Sequence, residues 1–221
     1  MINLTNECNM LMMQRIKNKT IDLLLTDPPF GMNFQSNRRN LKHLKIKGDD
    51  NLDWFPAWIK EIKRIVKDDS HLYIFCSWHK VEVFKTEIEK HFNVKNILIW
   101  EKNNTGMGDL EGDFAPKYEM IIFCSNGTKK LKGKRDSNII KAKKTGNEFH
   151  PTQKPVNLME YLIEKSTNIG DLVMDCFSGS GSTAIGCYNT NRNFIGCELN
   201  KEFFYTSMER INNHVAQQKL F

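Results

Sequence analysis

At 221 residues, 40% of them apolar, with a formal charge of +6, the chain is long enough for one well-filled core and short for two independent domains. No run reaches the ~18 consecutive apolar residues of a membrane span, and residues 1–10 are polar rather than signal-like, which argues against a membrane helix or secretory leader and predicts a cytoplasmic protein. Cys8, Cys76, Cys124, Cys176, Cys187 and Cys197 form no C-x-x-C pair and mostly border apolar runs, so they read as reduced core residues, and no metal site is expected.

In chain order, the first strand signal is Ile21–Thr26, followed by an amphipathic helix over Pro56–Val66 with Ile59, Ile62, Ile65 and Val66 on one face. A strand at His71–Cys76, a helix at Trp78–His91 carrying Val81, Phe84 and Ile88, and strands at Asn96–Trp100 and Tyr118–Cys124 come next. Helices at Pro155–Thr167 and Glu202–Val215 then flank strands at Leu172–Cys176 and Asn193–Cys197. Pro56 and Pro155 stand where a first helical turn tolerates proline. The continuous apolarity of the strands suits burial on both faces, and the alternation predicts an α/β fold with helices on both sides of a sheet.

Two basic stretches break this rhythm. Residues 31–48 carry Arg38, Arg39, Lys42, His43, Lys45 and Lys47 without an acid. Residues 127–146 hold Lys129, Lys130, Lys132, Lys134, Arg135, Lys141, Lys143 and Lys144 against Asp136 alone. Neither is expected to build core; such clustering suits an anionic partner, with simple solubility as the alternative. A polar, acidic, glycine-bearing run over Asn103–Asp113 reads as a loop.

Directly after the first strand, Asp27-Pro28-Pro29-Phe30 places an acid, two prolines and an aromatic at a strand's carboxyl end, where open α/β sheets bind ligands. Proline fixes its own φ and biases its predecessor toward extended geometry, so Asp27 and the Pro28 carbonyl form preorganised acceptors. A proline turn that merely ends the strand is the plainer alternative.

Asp175-Cys176-Phe177-Ser178-Gly179-Ser180-Gly181 follows another apolar strand and leads into a helix, the layout for a nucleotide-bearing cofactor. Glu198, at the end of the next strand, is placed to accept from ribose hydroxyls; capping the helix that follows is its other reading. His150-Pro151-Thr152-Gln153-Lys154-Pro155 precedes that unit. Physics alone favours a proline-bounded linker with a solvated lysine, although Lys154 could pair with a carboxylate; His150 reads as structural.

Together these three segments resemble the amino-methyltransferases that act on DNA. Asp27–Phe30 resembles their D-P-P-Y/F catalytic motif, Phe177–Gly181 their F-x-G-x-G cofactor motif, and His150–Pro155 the segment before it, in the order of the permuted β-group. The resemblance implies a single catalytic domain over 1–221. Its fold would be a Rossmann-like, S-adenosylmethionine-dependent, mostly parallel sheet with one antiparallel strand, and the strands at Ile21 and Leu172 would lie side by side. It implies a first strand near Ile2–Leu4 followed by a cofactor-contacting acid, for which Glu7 is the nearest match. The cofactor set would then be Asp27, Asp175, Phe177, Ser178, Gly179, Ser180, Gly181, Glu198, Glu7, Thr152 and Lys154, and the catalytic set Asp27, Pro28, Pro29 and Phe30. Phe30 stands where tyrosine is common, Cys176 where proline is usual, and Asn6-Glu7 replaces a frequent Gly-Asp.

The implied activity is methylation of N6 of adenine in double-stranded DNA, with the base flipped out and phosphates held by Arg38, Arg39, Lys42, Lys129, Lys130, Lys134, Arg135, Lys141, Lys143 and Lys144. Residues 127–149 would supply target recognition. N4 of cytosine is the chemical alternative, with an RNA enzyme behind it; a protein-glutamine enzyme would favour asparagine in place of Asp27. A nicotinamide-dinucleotide oxidoreductase lacks its full G-x-G-x-x-G here, and a DNA-binding module without catalysis leaves Asp27, Gly179 and Gly181 without a use. The residues leave open a homodimer and a cognate restriction endonuclease within a restriction-modification pair.

Overall fold

The computed structural model describes residues 1–32, 51–106, 110–146, 149–150 and 152–218. Arg38, Arg39 and Lys42 lie outside the described residues. The elements in chain order are β1 (Ile2–Thr5), α1 (Asn9–Gln14), β2 (Ile21–Thr26), α2 (Phe55–Ile65), β3 (Val66–Cys76), α3 (Val81–Glu89), β4 (Asn93–Glu101) and β5 (Tyr118–Asn126). They continue with β6 (Ile139–Lys141), α4 (Val156–Ser166), β7 (Leu172–Asp175), α5 (Ser182–Asn189), β8 (Asn193–Cys197) and α6 (Lys201–Gln218).

The strands form one sheet in the order β1-β8-β7-β2-β3-β5-β4-β6. All pairings are parallel except those of β5 with β3 and β4, so one strand is reversed. Every residue of β2 is buried; Ile21 and Leu23–Leu25 are apolar, and the buried Asp22 accepts from Lys67 Nζ at 2.6 Å and from the Leu172 N–H at 2.9 Å. Its pleat sends Leu24 into a core with α1, α2 and α3, and Leu23 and Leu25 into a second core with α4, α5 and α6. Helix α2 buries Phe55, Trp58, Ile59, Ile62 and Ile65, a 3.6-residue stripe, and starts on Pro56 in its first turn. Because α5 and α2 leave β7 and β2 for opposite faces, these neighbouring strands mark the topological switch point.

Several boundaries differ from the sequence reading. β3 begins at Val66 rather than His71, because the polar and exposed Lys67, Asp68 and Asp69 hide its first turn of extended chain. Helix α1 and strand β6 were not anticipated; both are short, and β6 sits among lysines. The expectation that residues 127–146 build no core needs correction: β6 pairs with β4 from Ile99↔Ile139 to Glu101↔Lys141, Ile140 packs on the second core, and Ala142 is buried with its carbonyl accepting from Trp100 Nε1 at 2.9 Å. Five of the cysteines are buried and all six are free; Cys8 is only partly covered.

At the edge of the sheet where β2 and β3 begin, His71 is buried against Ser166 and the backbone of Lys129. The Lys129 carbonyl can only accept, so His71 Nε2 carries the proton and donates to it at 3.0 Å. Nδ1 therefore accepts from Ser166 Oγ at 2.9 Å, and Tyr73 donates its hydroxyl to Ser166 at 2.8 Å. Burial pushes the His71 pKa down to about 4, against the opposing pull of the Lys129 carbonyl. Below pH 6.5 the unfolded chain binds a proton that the folded chain refuses, so stability from this group is full at neutral pH and drains away as pH falls toward 4. Urea unfolding at pH 7 and pH 5 should show wild type losing about 2 kcal/mol more than His71→Asn over that interval. Equal pH slopes in the two proteins would mean that His71 titrates normally.

Candidate active site

The carboxyl ends of β2 and β7 open into one crevice of about 310 Å³, walled by Glu7, Asp27, Phe30, Lys154, Phe177 and Glu198 among others. Asp175 locks its floor. Fully buried, it accepts from Thr26 Oγ1 at 2.7 Å, from Thr183 Oγ1 at 2.7 Å and from the Phe177 N–H at 3.1 Å, so it ties β2 to the glycine turn and to α5. Burial raises its pKa despite these three donors.

The turn after β7 bends through Gly179 at φ +51° and Gly181 at φ +76°, left-handed conformations that favour glycine. A Cβ on Gly181 would also stand 3.0 Å from Ile211. Glu198 faces this turn: its Oε2 accepts from the Gly179 N–H at 2.9 Å and its Oε1 from the Asn200 N–H at 2.8 Å. Burial raises its pKa, only partly offset by those bonds. The capping role belongs elsewhere, since Asn200 Oδ1 accepts from the Glu202 and Phe203 N–H groups at the start of α6. Glu7 reaches the crevice wall and is ion-paired with Arg15, the residue that caps the end of α1, whose hydrogen bond holds the Glu7 carboxyl below its ordinary range.

Asp27 lies across the crevice. Its Oδ2 accepts from Lys154 Nζ, while its buried Oδ1 has no hydrogen-bond partner among the described residues. Burial pushes its pKa up to about 6; Lys154 pulls the other way, and Glu119 and Asp175 add to the rise. The solvated-lysine reading of Lys154 is overturned: it is buried, ion-paired with Asp27 and with Glu119 at 3.3 Å, donates to the Thr152 carbonyl at 3.3 Å, and lies 5.0 Å from the Phe75 ring. Phe30 meets Phe84 edge-on and bridges both cores. Thr152 and His150 also line the crevice; Thr152 donates its N–H to His150 Nδ1, and the His150 ring packs on Phe203 close to Gly179. Sequence reading missed Glu119 and Phe75, whose nearness to Asp27 is long-range; the one local signal was an acid at the start of an apolar strand.

The second basic stretch divides between two ends of the sheet. β5 runs antiparallel and delivers the chain to the edge opposite the crevice, where Lys129 touches His71 and the Asp22 carbonyl. Lys132 hydrogen-bonds there with the last turn of α4, and Lys134 and Arg135 line a separate groove with Lys95 and Lys165. β6 then climbs back along β4 and sets Lys141 beside Glu101, after which the Lys144 N–H binds Asn103 Oδ1 at 2.8 Å at the crevice end. The structure therefore brings Lys141, Lys143 and Lys144 to the end of the sheet on which the crevice opens, several strands away from it, and leaves Lys129, Lys130, Lys134 and Arg135 at the far end.

Known proteins match this architecture. The M1.HpyAVI–SAM complex is 29% identical and superposes with a TM-score of 0.76 over 96% of this chain and all of that one. The cytosine-N4-specific PvuII DNA methyltransferase, 17% identical, shares the fold with a TM-score of 0.77 over 98% of this chain and 92% of that one. The Escherichia coli DNA adenine methyltransferase YhdJ is 25% identical, the match covering 94% of this chain and 82% of the relative. Residues 21–209 match the sequence profile of the N6/N4 DNA methylases, a span that holds both the Asp27 motif and the glycine turn, and the chain therefore belongs to that DNA methylase family.

Proposed function

We propose that the protein methylates N6 of adenine in double-stranded DNA, with Asp27 and the Pro28 carbonyl accepting the hydrogens of the flipped-out amine. The observation that carries this reading is the Asp27 carboxylate, anchored at Oδ2 and with a buried Oδ1 that has no hydrogen-bond partner among the described residues. An aromatic amine is a poor nucleophile because its lone pair is delocalised into the ring. Acceptors fixed on its hydrogens draw the nitrogen toward tetrahedral geometry and stabilise the charge that appears there, and positioning of this kind supplies up to roughly 7–11 kcal/mol in the best cases. Flipping the base costs a few kcal/mol, part of which Phe30 recovers by stacking.

S-adenosylmethionine supplies an electrophilic methyl group when bound. The crevice fits it: the turn over Phe177–Gly181 lets backbone approach a ligand, the buried Ser178 Oγ has no partner among the described residues, and Glu198 is an acceptor for ribose hydroxyls. Glu7 would face the adenine end. Support for adenine over cytosine comes from the aspartate that opens the motif and from YhdJ, named an adenine methyltransferase. Mass spectrometry of DNA incubated with the protein and S-adenosylmethionine should reveal N6-methyldeoxyadenosine; N4-methyldeoxycytidine alone would reassign the base, and an unmodified product would refute the reading.

The lysines at the crevice end of the sheet hold the DNA phosphates in this proposal. Neutralising Lys141, Lys143 and Lys144 should flatten the slope of log affinity against log salt by roughly 0.9 for each phosphate that no longer meets a cation. Neutralising Lys130, Lys134 and Arg135 at the far end should leave that slope in place. A slope that responds to the second set and not the first would move the DNA to the opposite face.

A further inference from the structure

Asp27, Lys154, Glu119 and Lys102 form an unbroken line of alternating charge leading away from the crevice. They come from four segments: the end of β2, the run before α4, the start of β5 and the residue after β4. Lys102 lies 2.7 Å from Glu119 Oε1, Lys154 lies 3.3 Å from Glu119 Oε2, and Lys154 binds Asp27 Oδ2. A buried ion forfeits several kcal/mol of solvation and is tolerated when paired, which the alternation accomplishes at each position. An ammonium has three N–H donors; Lys154 donates to Asp27 and to the Thr152 carbonyl and is ion-paired with Glu119 at 3.3 Å.

We propose that Lys154 and Glu119 are positioning residues for methyl transfer: Lys154, steered by Glu119, clamps Oδ2 of Asp27 so that Oδ1 is the single acceptor offered to the target amine. The identity of that amine rests on the DNA methyltransferase reading above; the clamp itself does not. A carboxylate without the clamp turns about its terminal torsion, which is broad and two-fold, and offers either oxygen in varying directions. A carboxyl group without the facing cation also protonates more readily in a buried site, and the acid form loses acceptor capacity just where the amine needs it. The charged or titratable groups facing Asp27 are Lys154 before α4, Glu119 on β5, Asp175 on β7 and the Cys76 thiol on β3. Burial opposes the charge on both partners of the clamp. Even so, Asp27 and Glu119 keep the Lys154 pKa above its ordinary value, and Lys154 with Lys102 brings that of Glu119 below its own.

The clamp is tested by following the Asp27 carboxyl with pH by carbon-13 NMR in the full-length protein, its signal identified by loss in Asp27→Asn. In parallel, the methylation rate is measured against pH. Lys154→Met should raise the Asp27 titration, and with it the acid limb of kcat, by about one pH unit or more, an energy of about 1.4 kcal/mol per unit. Glu119→Gln should move both downward, and Lys154→Arg should recover at least part of the rate lost in Lys154→Met. Calorimetry should find the Kd for S-adenosylmethionine within about two-fold of wild type in all three variants. Opposite shifts from the two sites are a signature that a merely structural role does not produce. An unmoved Asp27 titration in Lys154→Met, or a tenfold loss of cofactor affinity with the acid limb unmoved, would overturn the proposal. If Lys154→Met does not fold, the Glu119→Gln shift decides alone, its absence counting against the clamp. Opposite NMR shifts in a protein that modifies no DNA would leave the clamp standing and remove only the substrate reading.

Discussion

The side-chain bond that the site depends on is the one from Thr26 to Asp175. β2 and β7 are neighbours through a short ladder, Leu23↔Val173 and Leu24↔Met174, which ends before either ligand-facing loop begins. Beyond it, Thr26 donates to Asp175 at 2.7 Å, and the stretches that follow, opening on Asp27 and on Cys176-Phe177, inherit a fixed separation. The hydroxyl of Thr183 and the N–H of Phe177 complete the shell of Asp175, which makes a fully buried carboxylate tolerable. Removing one donor would leave an acceptor desolvated and unmatched, at a cost of about 1–3 kcal/mol, and would also free one loop to drift against the other.

Asp27 and Asp175 line the same crevice and show how environment divides one residue type between two tasks. Asp175 has donors on both of its oxygens, three in all. Among the described residues Asp27 is held on one oxygen, with the other buried and unmet. Native interiors seldom leave such an atom without a use, and the exceptions concentrate where chemistry is done. The burial that exposes Asp27 to protonation is the same burial that gives its free oxygen strength as an acceptor, since a low local dielectric magnifies both effects.

Much of this was legible in the chain. Unbroken apolar runs gave β2 and β8, and the stripe of Ile59, Ile62 and Ile65 gave α2. The family resemblance carried by the Asp27 motif and the glycine turn implied the permuted, mostly parallel sheet with one reversed strand. What escaped was either too short to carry a period, as with α1 and β6, or non-local. Glu119 is 92 residues from Asp27 along the chain, and nothing near it in sequence marks it as a neighbour. The lysines of residues 127–146 read as one basic block because charge is counted along the chain; the reversal of β5 splits that block across the height of the sheet. Glu198 admits a helix-cap reading from sequence, although Asn200, a stronger capping type, lies two residues on and takes that role.

The three residues of β6 pair on one side, with β4, and stand last in the sheet. An outermost strand is the one place where a β-sheet can accept added length without repacking its interior, because new backbone there meets either solvent or a further strand. The crevice between β7 and β2 sits several strands inward, insulated from such growth. Lineages of this architecture can therefore lengthen, shorten or exchange the rim segment after β5 while inheriting the reaction centre unchanged, so the site would evolve slowly and its rim quickly.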